Sequence, residues 1–143
     1  MPTAQAVIAE LGLAPHPEGG WYRETWRAPP AAPGQRGGGT AILFLLEAGQ
    51  GSHWHRVDAT ELWLFQAGAA LTLSTPAGSV RLGPDVTAGD RPQHVVAPHE
   101  WQTARAADDG WSLVACVVVP AFDFAGFELA PPGWAPPPLS SRP

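Results

Sequence analysis

The fold expected for this chain rests on one stretch, GSHWHRVDATELWLFQAG, at residues 51–68. It holds His53 and His55, one residue apart, and Glu61, a lone carboxylate that opens an apolar run. Because side chains alternate along a strand, His-x-His on a strand would place both imidazoles on one face. Two imidazoles with a carboxylate suit a borderline metal such as Zn, Fe, Ni or Mn. They suit metal-free general acid–base chemistry equally well, so the stretch predicts a reactive site of one of these two kinds.

Short alternating or apolar runs lie on both sides of this stretch, and turn residues separate them. They predict strands at residues 21–27, 40–47, 52–56, 61–66, 70–74, 79–82, 94–97, 101–105, 112–120 and 127–130. One short amphipathic helix is expected near the start, with Thr3 as its N-cap and Gly12 as its stop. Eight or more short strands with one helix indicate an all-β antiparallel sandwich or barrel rather than βαβ units. The proline- and glycine-rich segment 28–39 is expected to be a mobile loop, open to proteolysis and able to serve as a lid.

Composition favours one small cytoplasmic domain. At 143 residues and 15.0 kDa the chain fits a single domain, 1–143, with a core spanning about residues 10–130 and a proline-rich tail at 131–143. The net charge is −5 and the sequence contains no lysine, so a nucleic-acid partner is not expected. No apolar run approaches the roughly 20 residues of a membrane span, and the start lacks the pattern of a secretory signal. The single cysteine, Cys116, is expected to be a buried, inert thiol.

Glu61 is the most informative polar residue of the predicted strands. Alternation places it on one face with Trp63 and Phe65, and an ionisable group on an apolar face is costly to bury unless it binds a cation or a hydrogen-bond donor. If this face points inward, Glu61 is a ligand or an acid–base group; the alternative is a surface glutamate at a strand start. Gln102 is a similar case, because an amide between apolar strands needs partners and could complete a metal shell or hold a substrate hydroxyl.

These motifs resemble the cupin superfamily, whose first motif reads G-x5-H-x-H-x3,4-E-x6-G. His53, His55, Glu61 and Gly68 match it, with a spacer one residue longer before the glutamate. The chain is most similar to the small cupins of the domain of unknown function 985, or cupin-5, family. The blocks that carry this resemblance are, in order, HPEGGWYRET (16–25), HRVDATELW (55–63), LGPDVTAGDRPQHVVAPHEWQ (82–102) and VPAFDFAGFEL (119–129). The resemblance implies a jelly-roll β-sandwich barrel, usually a homodimer built by packing or exchanging edge strands.

The second cupin motif departs from the family pattern. It normally supplies a third metal-binding histidine, whereas this chain has Gln102 near the expected position. The metal shell that the resemblance implies is therefore His53, His55, Glu61 and Gln102, which is weaker and less selective than three histidines and a glutamate. One divalent metal and no cofactor at all are equally consistent with this pattern.

The HPEGG turn supplies further candidates. Its two glycines permit backbone conformations closed to other residues, and alternation places Tyr22 and Glu24 on one face with Arg23 on the other. The turn is either a plain entry turn with a surface Arg–Glu pair or a ligand-binding element. In the second case Glu18, Tyr22 or Arg23 reaches the barrel mouth and grips an anionic or sugar-like ligand.

Together these features predict a small-molecule cupin enzyme that acts inside the barrel on a polar, carbohydrate-like metabolite. His53, His55 and Glu61 would be its catalytic centre, either as metal ligands for an isomerase, lyase or oxygenase reaction or as the acid and base of an epimerase- or dehydratase-like proton transfer. A barrel that binds a small metabolite without catalysis is the alternative, and a structural dimer that has lost its site is a third. The expected ligand-binding residues are Glu18, Tyr22, Arg23, Trp63, Phe65, Trp101 and Gln102.

Overall fold

The structure, a computed structural model, describes residues 1–138, and most of its regular elements are β-strands. The elements are α1 Ala4–Leu11, β1 Ala14–Pro15, β2 Trp21–Arg27, β3 Thr40–Leu46, β4 His55–Val57, β5 Thr60–Gly68, β6 Leu71–Thr75, β7 Gly78–Leu82, β8 Gln93–Val96, β9 Thr103–Ala106, β10 Ser112–Val119 and β11 Phe127–Leu129. Single turns of 3-10 helix lie at Val86–Ala88 and Phe124–Gly126. The predicted strands agree with β2, β3 and β5 to β11 within two residues at either end.

The strands form two packed sheets with a small strand pair beside them. Six strands make the larger sheet, in the order β1-β2-β3-β10-β5-β8, and three make the smaller sheet, β7-β6-β9. The remaining strands, β4 and β11, pair with each other, and every strand pair is antiparallel. Buried side chains of both sheets fill the space between them. The fold is therefore the antiparallel β-sandwich that the sequence predicts.

The two most apolar runs of the sequence become neighbouring strands in the middle of the larger sheet. In β10, Cys116 lies opposite Ile42 of β3 on one side and opposite Trp63 of β5 on the other. Burial alternates along β10, so the Cys116 side points into the core. Burial, and then the negative charge of Glu61, raise the pKa of the Cys116 thiol well above its ordinary value, so the thiol stays protonated.

The helix α1 forms where the sequence predicts it. Thr3 accepts a hydrogen bond from the Ala6 N–H at 3.1 Å, and Gly12 ends the helix in the left-handed region at φ 66°. The helix has no fully buried side chain, so it lies on the surface of the sandwich. Within residues 1–138 no helix has the length and apolar character needed to cross a membrane.

Segment 28–39 is tied to the body of the protein at its far end. Arg36 donates hydrogen bonds of 3.0 and 2.8 Å to the Asp58 carboxylate and a third bond to the Ala121 carbonyl. The backbone N–H of Ala121 in turn donates to the Gly37 carbonyl. A bidentate arginine–carboxylate pair fixes geometry, so the loop is anchored in a way that its composition did not indicate.

The strand predicted at residues 52–56 is largely absent. The regular strand β4 begins only at His55, and the residues before it pair singly with other segments: Ser52 N–H donates to the Ala104 carbonyl and His53 N–H to the Glu18 carbonyl. The prediction that His53 and His55 share one face of a strand is therefore wrong, because no regular strand at His53 imposes alternation.

Candidate functional site

A pocket of about 350 Å³ opens between the larger sheet and the β4–β11 pair. Three ionisable side chains line its floor and are almost fully buried: Glu18, His55 and Glu61. Phenylalanines that follow β10 form one wall, and residues of β1 and β2 form the rim. The volume lies near the lower end of small-molecule pockets, which span roughly 300–1,000 Å³.

The register of β5 places Glu61 on the pocket floor. Glu61 lies opposite Val118 of β10 and Val96 of β8, and both valines are buried, so its carboxyl group is on the core-facing side, which is one of the two alternatives that the sequence left open. Burial raises the pKa of Glu61, the positive charge of His55 lowers it and the negative charge of Glu18 raises it again. The result is a pKa of about 7, against an ordinary value of 4.5. Such a group can both hold and release a proton near neutral pH.

Two buried neighbours fix the orientation of the Glu61 carboxyl group. The Trp63 indole N–H donates to Gln102 Oε1 at 2.8 Å, and Gln102 Nε2 donates to Glu61 Oε1 at 2.7 Å. An indole N–H can only donate, so the amide oxygen of Gln102 must face Trp63 and its NH₂ group must face Glu61. Oε1 of Glu61 is thereby committed as an acceptor, and the proton of neutral Glu61 lies on Oε2.

His55 and Glu18 are in contact beside Glu61. His55 Nδ1 and Glu18 Oε2 are 2.8 Å apart, and the two side chains are 2% and 7% exposed. The Nδ1–H points at the carbonyl oxygen of His53, also 2.8 Å away, so within residues 1–138 Glu18 Oε2 accepts no hydrogen bond. The contact is a close charge pair whose hydrogen bond a small rotation of the imidazole would complete.

The carboxyl groups around His55 decide its charge. Burial alone lowers the pKa of His55, but the charge and contact of Glu18, followed by the charge of Glu61, outweigh burial and raise the pKa to about 9 from an ordinary value of 6.5. His55 is therefore protonated at neutral pH. Its Nε2 makes no hydrogen bond within the described part of the chain, so it is the ring atom available to a ligand.

His16 belongs to the site although the sequence prediction did not select it. Its Nδ1 accepts a hydrogen bond from the Glu18 N–H at 3.1 Å, so this nitrogen carries no proton and cannot donate to Glu18 Oε1, which lies 3.4 Å away. Burial lowers the pKa of His16, and the charge of Glu18 opposes this only in part. The imidazole is therefore neutral. The HPEGG block was the sequence signal that could have identified His16.

Phe122, Phe124 and Phe127 form the apolar wall of the pocket, and the sequence prediction did not select them. Their rings pack edge to face with centroids 4.8 to 5.9 Å apart. The Phe127 ring also lies 5.7 Å from the His55 ring. The pocket thus combines an apolar wall with an ionic floor.

Tyr22 and Arg23, both predicted to bind ligand, line the rim of the pocket together with Glu24. Arg23 donates a 3.3 Å hydrogen bond to the Leu11 carbonyl. Glu24 accepts two hydrogen bonds from Arg27, at 2.7 and 2.9 Å, so its charge is neutralised. Alternation along β2 predicted that Arg23 lies on the face opposite to Tyr22 and Glu24. However, β2 lies near the sheet edge and is flanked there only by the two-residue β1, so the long Arg23 side chain can extend past the edge to the pocket rim.

Three of the predicted site residues do not line the pocket. The side chain of His53 is exposed to solvent. Trp101 packs against Trp134, with ring centroids 4.6 Å apart, and beneath the Arg56 guanidinium, 4.6 Å from its centroid. Phe65 packs against the core between the sheets. The cause is long-range packing, which decides which of several aromatic residues faces a given cavity. Trp63 and Gln102 also lie behind the lining, but they hold Glu61 in place.

The donor groups do not fit the metal shell that the cupin resemblance implies. His53 faces solvent, and the one oxygen of the Gln102 amide is taken by Trp63. In the part of the chain that the structure describes, no group of three or more His, Cys, Asp or Glu side chains is arranged to hold a metal ion. We therefore assign no reaction step to a metal.

Comparison with known proteins agrees with this fold. The profile of the Cupin_5 family, described as Cupin superfamily (DUF985), matches residues 5–130. The solved structure of protein SO0799 from Shewanella oneidensis is 41% identical, with a TM-score of 0.84, over 91% of this chain and 85% of that one. A hypothetical protein from Leishmania major is 30% identical, with a TM-score of 0.83, over 90% and 88%. At 13% identity, Streptomyces Pac13, a nucleoside dehydratase, is similar in fold alone, with a TM-score of 0.59 over 80% and 81%. No curated protein sequence matches the chain.

Proposed function

The chain belongs to the DUF985 family of the cupin superfamily, and we propose that it is an enzyme that transfers protons on a small, polar, carbohydrate-like metabolite in its pocket. One observation carries this proposal: the buried contact of His55 with Glu18, beside Glu61 on the pocket floor. In this cluster the pKa of His55 is raised to about 9 and that of Glu61 to about 7. An acid and a base with displaced pKa values in one pocket are typical of proton-transfer catalysts.

The two pKa values favour one assignment of the acid and base roles. At a pH between 7 and 9 Glu61 is mostly ionised and His55 mostly protonated. Glu61 removes a proton from a substrate carbon, and His55 donates its Nε2 proton to the substrate oxygen that gains charge or leaves. Glu18 keeps His55 protonated until the transfer. This division of labour suits an epimerase-, isomerase- or dehydratase-like reaction, and the fold-level likeness to a nucleoside dehydratase supports the class only as an analogy.

The test is proton transfer on defined probes in heavy water. The protein is incubated with neutral aldoses, ketoses and nucleosides, and NMR and mass spectrometry follow deuterium entering C–H positions or loss of water. We expect turnover by the wild type, unchanged by EDTA. Glu61→Gln should lower the rate by about 10²- to 10⁴-fold, because general acid–base groups contribute on that order.

Glu10→Gln is the matched control, because Glu10 is exposed on α1 and does not line the pocket. It should retain the wild-type rate. A full rate in Glu61→Gln would exclude Glu61 as the proton carrier, and loss of rate with EDTA would establish a metal-dependent reaction instead. Probes that bind without turnover would identify the chain as a non-catalytic binding module.

We further propose that the chain forms a homodimer through the outer face of the larger sheet, defined by Ala41, Leu62, Val95 and Val117. These residues form a continuous apolar row, because Val117 pairs with Ala41 and Leu62 on either side and Leu62 pairs with Val95. Val95 is 55% exposed. A contiguous apolar surface of this kind is typical of a protein–protein interface.

A further inference from the structure

Glu18 is a buried carboxylate in the pocket that lacks hydrogen-bond donors. Its side chain is 7% exposed, and Oε2 accepts no hydrogen bond within residues 1–138, because the nearby His55 N–H is directed to a carbonyl. Oε1 has no donor there either, since the nearest ring nitrogen, Nδ1 of His16, is itself an acceptor. A buried carboxylate is costly unless its oxygens are paired, and Oε2 already forms the close charge pair with His55, so Oε1 is the oxygen of Glu18 to which a pocket ligand can donate.

The other side of the same space offers a donor instead. His55 is protonated, and its Nε2–H has no acceptor among the described residues. A ligand at this floor must therefore offer a donor to Glu18 and an acceptor to His55. A hydroxyl group does both, whereas an ammonium cannot accept and a carboxylate or phosphate dianion cannot donate. The floor therefore selects hydroxyl groups.

The wall beside this floor suits the C–H face of a ring. Phe127 is half-buried, lines the pocket and lies 5.7 Å from the His55 ring and 6.2 Å from the His16 ring. An aromatic face next to a hydrogen-bonding floor favours a flat ligand with one apolar and one hydroxylated side. The pocket volume, about 350 Å³, accommodates one such ring.

The charges at the rim do not alter this selection. Glu24 is paired with Arg27 through two hydrogen bonds, and Arg23 is exposed and bonded to a carbonyl. At the floor a ligand anion would meet Glu18 and a ligand cation would meet His55, so a neutral group that both donates and accepts matches this charge pair best.

We infer that the substrate is a neutral ring polyol, bound by a hydroxyl group that donates to Glu18 and accepts from His55, with the C–H face of its ring on Phe127. Monosaccharides and nucleosides share this chemistry. The inference rests on the proposed function in that it uses the same pocket, but it concerns binding and not turnover.

Binding of parent and deoxy probes tests the inference. The probes are neutral aldohexoses, aldopentoses and ribonucleosides, each with its monodeoxy derivatives, and titration calorimetry or ligand-observed NMR gives the Kd. We expect at least one parent to bind and one of its deoxy derivatives to bind at least about tenfold more weakly, or about 1.4 kcal/mol. Free sugars and nucleosides are tested separately, so the class that binds with the lower Kd shows which of the two carries the recognised ring. Replacing that hydroxyl by an amine should weaken binding to a similar extent.

Glu18→Gln should remove the discrimination, so that parent and deoxy probes bind within about threefold of each other, because the neutral amide is a weaker acceptor than a carboxylate and places an NH₂ donor opposite the hydroxyl. Glu10→Gln should preserve it. The inference is overturned if no parent probe binds, if every deoxy derivative binds as tightly as its parent, or if Glu18→Gln keeps the discrimination. Deuterium exchange on a probe that shows no deoxy discrimination would overturn the inference and leave the proposed function standing. Discrimination between parent and deoxy probes without deuterium exchange would support the inference and contradict the proposed function.

Discussion

At the scale of single residues, His55 and Glu61 link the stability of the protein to pH. The pKa of His55 in the fold, about 9, exceeds its ordinary 6.5, so its contribution to stability is complete below pH 6.5 and is lost as the pH rises through 9. The pKa of Glu61, about 7, exceeds its ordinary 4.5, so stability is likewise lost as the pH rises from 4.5 through 7. Both groups act in the same direction, whereas the lowered pKa of His16 opposes them below pH 6.5. We predict that the free energy of unfolding falls from about pH 6.5 to about pH 9.

Thermal or urea unfolding at stepped pH measures this slope. Glu61→Gln should reduce the decrease in the free energy of unfolding at the acidic end of this range, because the amide does not titrate. Glu10→Gln should follow the wild type. A wild-type stability maximum near pH 9 would contradict the assignment of both protons, and an unchanged acidic slope in Glu61→Gln would contradict that of Glu61.

The hydrogen bonds behind Glu61 show the difference between what a residue type requires and which partner it finds. Sequence reasoning held that a glutamine between apolar strands needs hydrogen-bond partners, and Gln102 does bond both Trp63 and Glu61. That demand is a property of the amide alone. Which atoms meet it depends on the strand register, and here the register makes Gln102, an expected metal ligand, a support for the carboxyl group of Glu61.

At the scale of elements, hydrogen bonds through Arg36 and Asp58 join segment 28–39 and the aromatic wall after β10 into one unit. Arg36 bonds both Asp58 and the Ala121 carbonyl, and the N–H of Asp58 bonds the Gly126 carbonyl. Gly126 also packs so closely on the Asp58 carboxylate that any side chain at this position would collide with it. The composition of the loop suggested freedom, whereas a few long-range bonds remove it.

We predict that Asp58→Asn loosens this unit. The amide retains one acceptor oxygen but loses the charge, and an exposed ion pair is worth about 0–1 kcal/mol, so trypsin should cut after Arg36 up to about fivefold faster. Limited proteolysis followed by mass spectrometry measures the rate at this bond. Asp108→Asn is the control, because Asp108 is exposed and its nearest contact with Arg105 is 3.9 Å. Equal cleavage of the two variants would show that Asp58 does not anchor the loop.

At the scale of the whole molecule, the proposed homodimer uses the outer face of the larger sheet. We predict a dimer of twice 15.0 kDa in solution. Val95→Glu should shift it to the monomer, because a charge on the exposed apolar row must be desolvated when two copies meet. Light scattering after size exclusion measures the mass.

Val86→Glu is the matched control for this experiment. Val86 is 51% exposed, close to the 55% of Val95, but it lies on a 3-10 turn away from the outer face. It should leave the mass unchanged. A wild-type monomer at high concentration, or a Val95→Glu protein that stays dimeric, would place the interface elsewhere or remove it.

The sandwich, the helix and the shared face of Glu61 and Trp63 were predictable from the order of the residues alone. These follow from local rules, since alternation, capping and turn residues act between near neighbours and are written in the order of the residues. The resemblance to cupins rested on the same local blocks, and the match of residues 5–130 confirmed it.

Which polar groups meet depends on how the distant segments of the chain pack together. The tertiary structure separated His53 from His55, brought Glu18 from the entry turn to the His55 ring, and placed Phe127 rather than Trp101 against the pocket. The physical reason is range. Hydrogen bonds and buried charge interactions depend on distances of a few ångströms between segments far apart in the chain, and the sequence order does not contain those distances.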